Sequence, residues 1–359
     1  MWIKDLKLVN FRNYFYQQVE FNEDINIFLG DNAQGKTNLL ESVYYLANAK
    51  SFKNIRDKDL IRFNQSSMSL SGTIRKGRSF KLVKIDLLDK DKSIFVNGVK
   101  YDRNKDLRSL FKIVLFTPED LAIIKEGPNL RRDLIDKIIQ GIDPSYKQVK
   151  KDYGKILYQR NKLLKSQSSS YFKDQLSAFD QSLSKLGFRI YKQRLKFIKF
   201  IGDFAKDYHK TLSANREELT LTYKADIKAR DLEDYINIFR QSRSDDLKSK
   251  ISQRGIHKDD IEIRINGKDS KSFASQGQQR SAILNIRLAE VKLIKEVTGD
   301  KAVILFDDVF SELDEKRSSF LLENLKGYQT IITATNTKSL EKVSRSKISY
   351  IKNGSIRKE

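Results

Sequence analysis

Residues 30–37 restrict the possible folds of this chain more than any other segment. They read Gly-x4-Gly-Lys-Thr, follow the apolar run 25–29 and precede a helical pattern of leucine and valine residues. In such a segment the backbone N–H groups of a loop converge on phosphate at the N-terminus of a helix, while Lys36 faces the β- and γ-phosphates and Thr37 ligates Mg²⁺. The sequence therefore predicts a strand, a P-loop and a helix that bind ATP and Mg²⁺. The expected ATP contacts are Gly30, Asp31, Asn32, Ala33, Gln34, Gly35, Lys36, Thr37 and Asn38.

An apolar run far downstream ends in two carboxylates. Residues 303–306 are Val-Ile-Leu-Phe, and Asp307 and Asp308 follow them. A buried parallel strand has such a run, and α/β sheets bind ligands at the carboxyl ends of their strands. Asp307 suits the Walker B position and would hold Mg²⁺ together with Thr37, while Asp308 is placed to polarise the attacking water. Lys36 and Asp308 are therefore the predicted catalytic residues.

Two short segments narrow the class of ATPase. Ser275, Gly277 and Gln278 precede a helical pattern about 30 residues before the carboxylate pair; the serine can cap the helix, and the glycine allows a close backbone approach. This segment resembles the signature motif of ABC ATPases, which contacts the γ-phosphate bound by the opposite subunit, although a capped helix start would give the same pattern. Ser311 and Asp314, just after the carboxylate pair, resemble the D-loop of the same class.

The charge of the chain is strongly positive. Lys and Arg number 69 against 47 Asp and Glu, which gives a formal net charge of +22. Such an excess attracts polyanions, of which nucleic acid is the commonest, although a generally lysine-rich protein is the alternative. Half of the excess lies in residues 144–212, which contain 16 Lys and Arg and 5 Asp and Glu, a net of +11.

The same region has a helical pattern with two faces. Its apolar residues recur at steps of three, four or seven and predict one buried stripe. They are Phe179, Leu183, Leu186, Ile190, Phe197, Ile201, Phe204 and Tyr208. Five cations follow the same step on another face and form what we call the basic ridge, namely Lys185, Arg189, Lys192, Lys196 and Lys199. We expect the ridge to contact DNA, and the alternative is an ordinary solvated helix face.

Composition excludes several kinds of site. The chain has no cysteine and two histidines, which rules out a disulfide framework, a thiol nucleophile and a zinc site of Cys or clustered His ligands. The first residues carry charges at Lys4, Asp5 and Lys7 and lack an apolar region, so we expect no secretory signal. No stretch approaches about 18 uncharged apolar residues, so we expect no membrane span and a cytoplasmic protein.

The distribution of patterns along the chain predicts a head that is split in sequence. Strands are expected at 2–8, 14–21 and 25–29 and across 69–96, with a hairpin turn at Asn97-Gly98. A polar and mainly helical stretch runs from about 133 to 250. It contains a Ser-rich break at 166–170. Strand and motif character returns from 261. Since the P-loop and the carboxylate pair must form one phosphate site, we predict an α/β ATPase head with an inserted helical domain. Its parts are 1–135 and 253–359, and the insertion is 136–252.

Several blocks of the sequence resemble the RecF proteins. The blocks are 10–14 (Asn-Phe-Arg-Asn-Tyr), 30–41, 117–121, 127–128, 131–133, 255–260, 266–267, 275–280 and 307–314. They cover both ends of the chain in the order and spacing of that family, and the resemblance is weak between about 146 and 250.

The resemblance implies an ABC-type P-loop ATPase without the long coiled coil of chromosome-organising relatives. RecF-like proteins dimerise on ATP, bind DNA at junctions of single strand and duplex, and help partners such as RecR to place recombinase on gapped DNA. It thus implies a homodimer in which Ser275, Gly277 and Gln278 act in trans, and a role in DNA replication, recombination, repair and the SOS response. Both a slow DNA-stimulated ATPase and a non-catalytic, nucleotide-gated DNA clamp fit this description.

The chain departs from the family pattern at a few positions. Ala33 stands where the family usually has glycine, and a positive φ there would strain the backbone. The water-activating position holds Asp308 and not the glutamate of ABC transporters, which favours slow hydrolysis because the shorter carboxylate reaches less far. Glu119 stands near the place of the glutamine loop, and Thr335 or Asn336 takes that of the switch histidine.

Two rival functions fit the residues less well. A transporter ATPase subunit shares these motifs but needs a membrane partner and is seldom this basic. An ATPase fused to a nuclease needs a metal-binding carboxylate domain after the Walker B strand, and some 45 residues are too few for one.

Overall fold

The computed structural model describes residues 1–53, 55–89, 91–101, 107, 110–166, 171–336 and 346–358. The strands are β1 (Trp2–Phe11), β2 (Tyr14–Glu20), β3 (Ile25–Leu29), β4 (Ser67–Lys76), β5 (Ser79–Leu88), β6 (Asp91–Val96), β7 (Val99–Lys100), β8 (Ile113–Phe116), β9 (Leu219–Lys224), β10 (Asp260–Ile265), β11 (Lys268–Asp269), β12 (Val303–Asp307), β13 (Thr330–Ala334), β14 (Ser346–Lys352) and β15 (Ser355–Lys358). The α-helices are α1 (Lys36–Asn48), α2 (Ala122–Lys125), α3 (Pro128–Ile142), α4 (Pro144–Ser166), α5 (Phe172–Leu212), α6 (Leu232–Gln241), α7 (Arg243–Ser249), α8 (Ser270–Phe273), α9 (Gln276–Thr298) and α10 (Glu315–Asn324).

The chain forms two compact units. The first comprises Met1–Asp120 and Glu290–Glu359, and the second comprises Leu121–Ala289. The predicted insertion, 136–252, lies within the second unit, and so do 253–289, which we had assigned to the head. The predicted domain boundaries stay a prediction. They divide the chain by its sequence motifs, whereas the two units are defined by how compactly the residues pack.

The first unit contains a mostly parallel sheet. Its strand order is β15-β14-β3-β13-β12-β8, in which β14, β3, β13, β12 and β8 run parallel and β15 is antiparallel to β14. Every residue of β12 and of β13 is buried. Continuous burial is typical of a parallel strand that is covered on both faces. Strand β3 lies inside this sheet, between β14 and β13. The P-loop connects the end of β3 to α1.

An antiparallel sheet completes the first unit. Its order is β2-β1-β4-β5-β6-β7. Burial alternates along β4, as expected for a sheet that covers the core with one face. Leu8 and Leu70 from this sheet share a buried cluster with Leu39 and Val43 of α1 and with Leu305 of β12. Helix α1 is thus buried in the core that both sheets share. This packing holds the helix in place, and with it the N-terminal end that follows the P-loop.

The second unit is mainly helical and has buried ion pairs in its interior. Arg194 of α5 pairs with Asp136 at 2.9 Å and with Asp259 at 2.8 Å, and all three side chains are buried. The unit also contains the small sheet β11-β10-β9. Removing one member of such a cluster leaves an uncompensated buried charge, which costs about 3–5 kcal/mol. Part of the positive charge counted in 144–212 therefore stabilises this unit and is not available at the surface.

The sequence predicted many of the strands and overlooked β8 and β9, of which β8 lies between the strand region 69–96 and the helical stretch and was given no assignment. The three N-terminal strands and the hairpin turn at Asn97-Gly98 are confirmed. Strand β9 was missed, because it lies within a stretch whose overall composition indicated helix and because its partner, β10, follows some 36 residues later. In the Ser-rich break, 167–170 lie outside the described residues. None of the helices in the described part of the chain has the length and apolar character that a membrane crossing demands.

Candidate nucleotide-binding site

The P-loop joins β3 to α1 at the carboxyl end of the parallel sheet. Two of its residues have left-handed backbone conformations, Ala33 with φ 65° and Gly35 with φ 115°. A Cβ on Gly35 would lie 2.6 Å from Nδ2 of Asn13, so a side chain there would displace Asn13 in addition to straining the backbone. Ala33, with its positive φ, meets the condition under which the sequence predicts backbone strain at this position.

The ammonium of Lys36 lies inside the loop. Its Nζ donates hydrogen bonds to the carbonyl oxygens of Gly30, at 2.5 Å, and Asp31, at 3.0 Å. Lys36 is buried, and these two acceptors are uncharged backbone groups. The positive charge of Lys36 therefore lies at the N-terminus of α1. The partial positive charge of the helix dipole lies at the same end, so both favour the binding of an anion there. The loop geometry agrees with the predicted phosphate-binding role of this lysine.

Thr37 and Asp307 meet across the sheet. The Thr37 hydroxyl donates to Oδ1 of Asp307 at 2.9 Å, although the two residues are 270 positions apart. Thr333 of β13 donates to the same oxygen at 3.0 Å. Hydroxyl and carboxylate oxygens are hard ligands of the kind that Mg²⁺ prefers, so Thr37 and Asp307 fit a magnesium ion.

The carboxyl group of Asp307 is buried, and its protonation is perturbed. Burial raises its pKa, while the hydrogen bonds from Thr37 and Thr333 and the charge of Lys53 act in the opposite direction. The charge of Glu119 raises the pKa further. An added cation would relieve this cost, because it would compensate the buried carboxylate. The expected place of Glu119 near the glutamine loop stays a prediction.

At Asp308, directly after β12, the backbone leaves the extended conformation of the strand. Its φ is 52°, and its N–H donates to the carbonyl oxygen and to Oγ1 of Thr333, both at 3.2 Å. Its Oδ1 is buried without a hydrogen-bond donor among the described residues. A buried acceptor without a donor costs about 1–3 kcal/mol, so this oxygen fits a role in holding a donor such as water.

Two residues of the 10–14 block donate hydrogen bonds to backbone carbonyl oxygens of the P-loop. Nδ2 of Asn13 donates to the carbonyl oxygen of Gln34 at 3.1 Å, and the Tyr14 hydroxyl donates to that of Gly35 at 3.0 Å. Nδ2 of Asn38 donates to Oδ1 of Asn13 at 2.9 Å. The sequence identified this block only through resemblance, and its contacts with the loop were missed because they follow from pairing between distant segments.

The buried carboxylate of Glu41 holds the same block against α1. Arg12 donates to both of its oxygens, at 2.9 and 3.0 Å, and Ser51 donates to one of them. Because Glu41 is fully buried, the bidentate arginine contact also satisfies a charge that would otherwise be costly. The loop, α1 and block 10–14 thus form one hydrogen-bonded assembly.

The signature-like segment is a capped helix start. Oγ of Ser275 accepts from the N–H of Gln278 at 3.2 Å, and Oε1 of Gln278 accepts from the N–H of Ser275 at 2.8 Å, which is a capping box. Nε2 of Gln278 also donates to Glu217 at 2.9 Å, and Glu217 contacts His209 at 3.0 Å. Sequence patterns gave no indication of Glu217. These contacts hold Ser275 and Gln278 in one orientation, with Gly277 in the first turn of α9.

The D-loop-like residues connect Asp308 to α10. Oγ of Ser311 donates to the carbonyl oxygen of Asp308 at 2.6 Å. The side chain of Asp314 accepts from the N–H of Arg317 at 2.8 Å and caps α10. Of the residues near the end of β13, the structure places Thr333 against Asp307, and Thr335 and Asn336, the expected switch positions, follow it.

The basic ridge lies on the exposed side of α5. All five of its cations are exposed, whereas every member of the apolar stripe is buried or half-buried. Arg189 donates to Oγ of Ser145 at 2.9 Å. The helix is therefore amphipathic in the sense predicted, and four lysines and one arginine point to solvent along about four turns.

Comparison with known proteins relates the whole chain to one family. The family model for the RecF/RecN/SMC N-terminal domain matches residues 2–357. The DNA replication and repair protein RecF of Clostridium perfringens (strain 13 / Type A) is 37% identical over 361 residues, and the match covers 99% of each chain. The corresponding RecF of Clostridium beijerinckii is 39% identical over 362 residues, which cover 99% of this chain and 98% of the relative.

Solved structures agree with this relationship. The ATP complex of a recombination mediator protein RecF of the RecFOR pathway is 34% identical, with a TM-score of 0.90, and the match covers 100% of this chain and 97% of that one. The Smc head domain of Pyrococcus furiosus bound to ScpA is 16% identical with a TM-score of 0.58, covering 99% and 95% of the chains, which is a likeness of fold. The predicted fold class, an α/β ATPase head of the ABC type, is confirmed.

Proposed function

This chain belongs to the RecF proteins of the RecF/RecN/SMC N-terminal domain family, and we propose that it is an ATP-dependent DNA-binding protein of DNA replication and recombinational repair. The observation that carries the proposal is the hydrogen bond between Thr37 and Asp307 beside the buried Lys36. It brings together the two halves of a phosphate and magnesium site from distant parts of the sequence.

Nucleotide binding rests on the P-loop and α1. Residues 30–38 would surround the phosphates, with Lys36 exchanging its backbone acceptors for phosphate oxygens. Thr37 and Asp307 would hold Mg²⁺, which when bound neutralises charge on the β- and γ-phosphates. The RecF of the RecFOR pathway, at 34% identity over the whole chain, has been solved with ATP, which supports ATP as the nucleotide.

Hydrolysis would depend on Asp308. Its Oδ1 is buried without a donor in the part of the chain that the structure describes, so it could accept a hydrogen bond from water and polarise the water toward the γ-phosphate. Aspartate reaches less far than glutamate, which supports slow hydrolysis. A slow step would keep the ATP-bound state long-lived.

Dimerisation would complete the site. In ABC-type ATPases the signature segment of one subunit contacts the γ-phosphate bound by the other, and here Ser275, Gly277 and Gln278 would provide that contact. Ser311 and Asp314 would adjoin it as the D-loop. Since the γ-phosphate is then part of the interface, ATP and not ADP would stabilise the dimer, which links nucleotide binding to assembly.

DNA is the proposed macromolecular ligand. The net charge of +22 and the exposed ridge on α5 support binding to phosphate backbone. The relatives are called DNA replication and repair protein or recombination mediator protein, which supports a role in repair beside other mediator proteins. Binding to gapped DNA at junctions of single strand and duplex, partners of the RecR kind and assistance to recombinase loading are the finer part of the proposal, and they rest on the resemblance to RecF proteins. A protein with this role would act in the cytoplasm, which is the location we propose.

A nucleotide-gated clamp without meaningful turnover is the second candidate, and the short carboxylate of Asp308 favours it. Single-turnover hydrolysis of ATP, measured with and without gapped DNA, separates the two. Stimulation of phosphate release by gapped DNA supports an enzyme. ATP-dependent DNA binding without phosphate release supports a clamp, and the absence of any ATP binding contradicts both.

A further inference from the structure

We propose that the turn of the C-terminal hairpin, Asn353-Gly354, clamps the phosphate-binding loop through Gln34, and that Gln34 and Gly354 are positioning residues for nucleotide. The hairpin consists of β14 and β15. The proposal rests on nucleotide binding at the P-loop, as set out above, and adds a part of the chain that carries no nucleotide-binding motif.

Three hydrogen bonds hold Gln34 at the centre of the loop. Its Oε1 accepts from the N–H of Asn353 at 2.7 Å. Its carbonyl oxygen accepts from the N–H of Gly354 at 3.0 Å and from Nδ2 of Asn13 at 3.1 Å. The hairpin turn therefore binds both the side chain and the backbone of this residue, which fixes the plane of the peptide that follows it.

Gly354 is required at the turn for two reasons. Its φ is 69°, which favours glycine, and a Cβ there would lie 2.6 Å from the carbonyl oxygen of Asn13. The obstructing atom belongs to the backbone and cannot rotate away. A side chain at this position would move the turn away from both Asn13 and Gln34.

The hairpin is itself firmly held, so it can act as a fixed support. Strand β14 pairs in parallel with β3, with Tyr350 beside Leu29. A Cβ on Gly30 would lie 2.4 Å from the carbonyl oxygen of Ile351, which shows how closely β14 approaches the start of the loop. On the other side, the N–H of Ile356 donates to Oε1 of Gln17 of β2 at 3.0 Å. Both the first residue of the loop and Gln34 thus lie against the same hairpin.

The loop needs such a support because its conformation is strained. Ala33, which precedes Gln34, has a positive φ that strains an alanine, and strained backbone persists where the surrounding structure over-determines it. Gly35, which follows Gln34, also has a positive φ, but a glycine adopts it without that cost. The N–H groups of the loop must converge before phosphate binds, and a loop held in that conformation loses less entropy on binding. Loosening the clamp should therefore weaken ATP binding even though Lys36, Thr37 and Asp307 are intact.

The test measures the Kd of Mg-ATP by isothermal titration calorimetry for the full chain and three variants. Gly354→Ala displaces the turn, and Gln34→Met keeps the length and the backbone of residue 34 but removes its acceptor. Gly98→Ala is the matched control, because Gly98 also sits in a hairpin turn, with φ 79°, and no atom lies within 4 Å of its Cβ position. We expect Gly354→Ala and Gln34→Met to raise Kd about tenfold, the effect of losing one or two neutral hydrogen bonds, and Gly98→Ala to leave Kd unchanged.

Hydrogen exchange of the loop amides gives a second readout that general destabilisation would not reproduce. Exchange at 31–35 should become faster in Gly354→Ala and Gln34→Met while the core of β12 stays protected, and Gly98→Ala should leave both unchanged. A folded Gly354→Ala protein with unchanged affinity and loop exchange would overturn the clamp. If Gly354→Ala does not fold, unchanged affinity in Gln34→Met overturns it. If the wild-type chain itself does not bind ATP, the nucleotide-binding proposal fails instead.

Discussion

The hydroxyl of Thr37, in the first turn of α1, donates a hydrogen bond of 2.9 Å to the last residue of β12, Asp307. The acceptor oxygen also receives a bond from Thr333 of β13. One carboxylate oxygen therefore joins a helix and two neighbouring strands at the edge where the parallel sheet ends. A Mg²⁺ ion bound at Thr37 and Asp307, as proposed, would replace one of these hydrogen bonds and so change the link between the helix and the strand.

Replacing Asp307 by asparagine should stabilise the ligand-free protein while it destroys Mg²⁺-dependent ATP binding. Burial raises the pKa of this carboxyl group in the folded state, so its ionisation opposes folding at neutral pH. Asp307→Asn removes that cost, and the gain in unfolding free energy should be full near pH 7, shrink as the pH falls through the raised pKa of the folded state, and vanish below the unfolded pKa of about 3.9. Urea denaturation across this range measures it. A loss of stability at pH 7 would contradict the expectation.

Lys36→Ala should weaken ATP binding by about tenfold to a hundredfold, since a charge-assisted contact to phosphate contributes about 1.5–3 kcal/mol. Calorimetric titration with Mg-ATP measures the change. Lys326→Ala, at an exposed position after α10, provides a control with the same loss of charge. Wild-type affinity in a folded Lys36→Ala protein would end the P-loop interpretation.

Asp308→Asn should keep ATP affinity and slow hydrolysis by about a hundredfold or more, because a positioned general base contributes on the order of 10² to 10⁴ in rate. The amide keeps the shape of the side chain and the N–H contacts with Thr333. Single-turnover phosphate release gives the rate, and calorimetry gives the affinity. Unchanged turnover would assign the catalytic role to another residue.

Ser275→Arg should abolish the ATP-dependent dimer and leave ATP binding intact. A bulky cation at this position would obstruct the contact with the partner's γ-phosphate, while the P-loop of the same chain is unaltered. The control is Ser249→Arg, at the exposed end of α7. Both substitutions, Ser275→Arg and Ser249→Arg, are best made in the Asp308→Asn protein, because it should keep ATP bound without hydrolysing it. Sedimentation velocity should give dimers with ATP, except when Ser275 is replaced, and monomers with ADP. Identical sedimentation of the Ser275 and Ser249 variants would refute the composite site.

Changing Lys192, Lys196 and Lys199 together to glutamine should weaken DNA binding at low salt without altering sequence preference. Each lost phosphate contact reduces the slope of log Kobs against log salt by about one unit. The control replaces three exposed lysines of α4, Lys155, Lys162 and Lys165, and changes the net charge equally. An unaltered slope in the first variant, or an equal change in both, would mean that the ridge is a solvated face.

Local chemistry accounts for what could be predicted. The spacing of Gly35, Lys36 and Thr37 and the run that ends in Asp307 identify their own strands and helix, because each motif and the periodicity around it lie within a few residues. The amphipathic pattern of α5 predicted its exposed ridge for the same reason. The cations of 144–212 could not be sorted into exposed and buried ones in this way, since the buried pairing of Arg194 with Asp136 depends on how helices pack.

The sequence by itself determined the strand, loop and helix of the phosphate site and the residue types that face the nucleotide, because these follow from composition and period within one segment. Only the tertiary structure decided that Thr333 shares Asp307 with Thr37, that Glu217 holds Gln278, and that Asn353-Gly354 holds Gln34. Each of these contacts joins residues from separate elements, and the order of strands in a sheet, on which such meetings depend, is set by the packing of the whole core. A local pattern contains no information about that order.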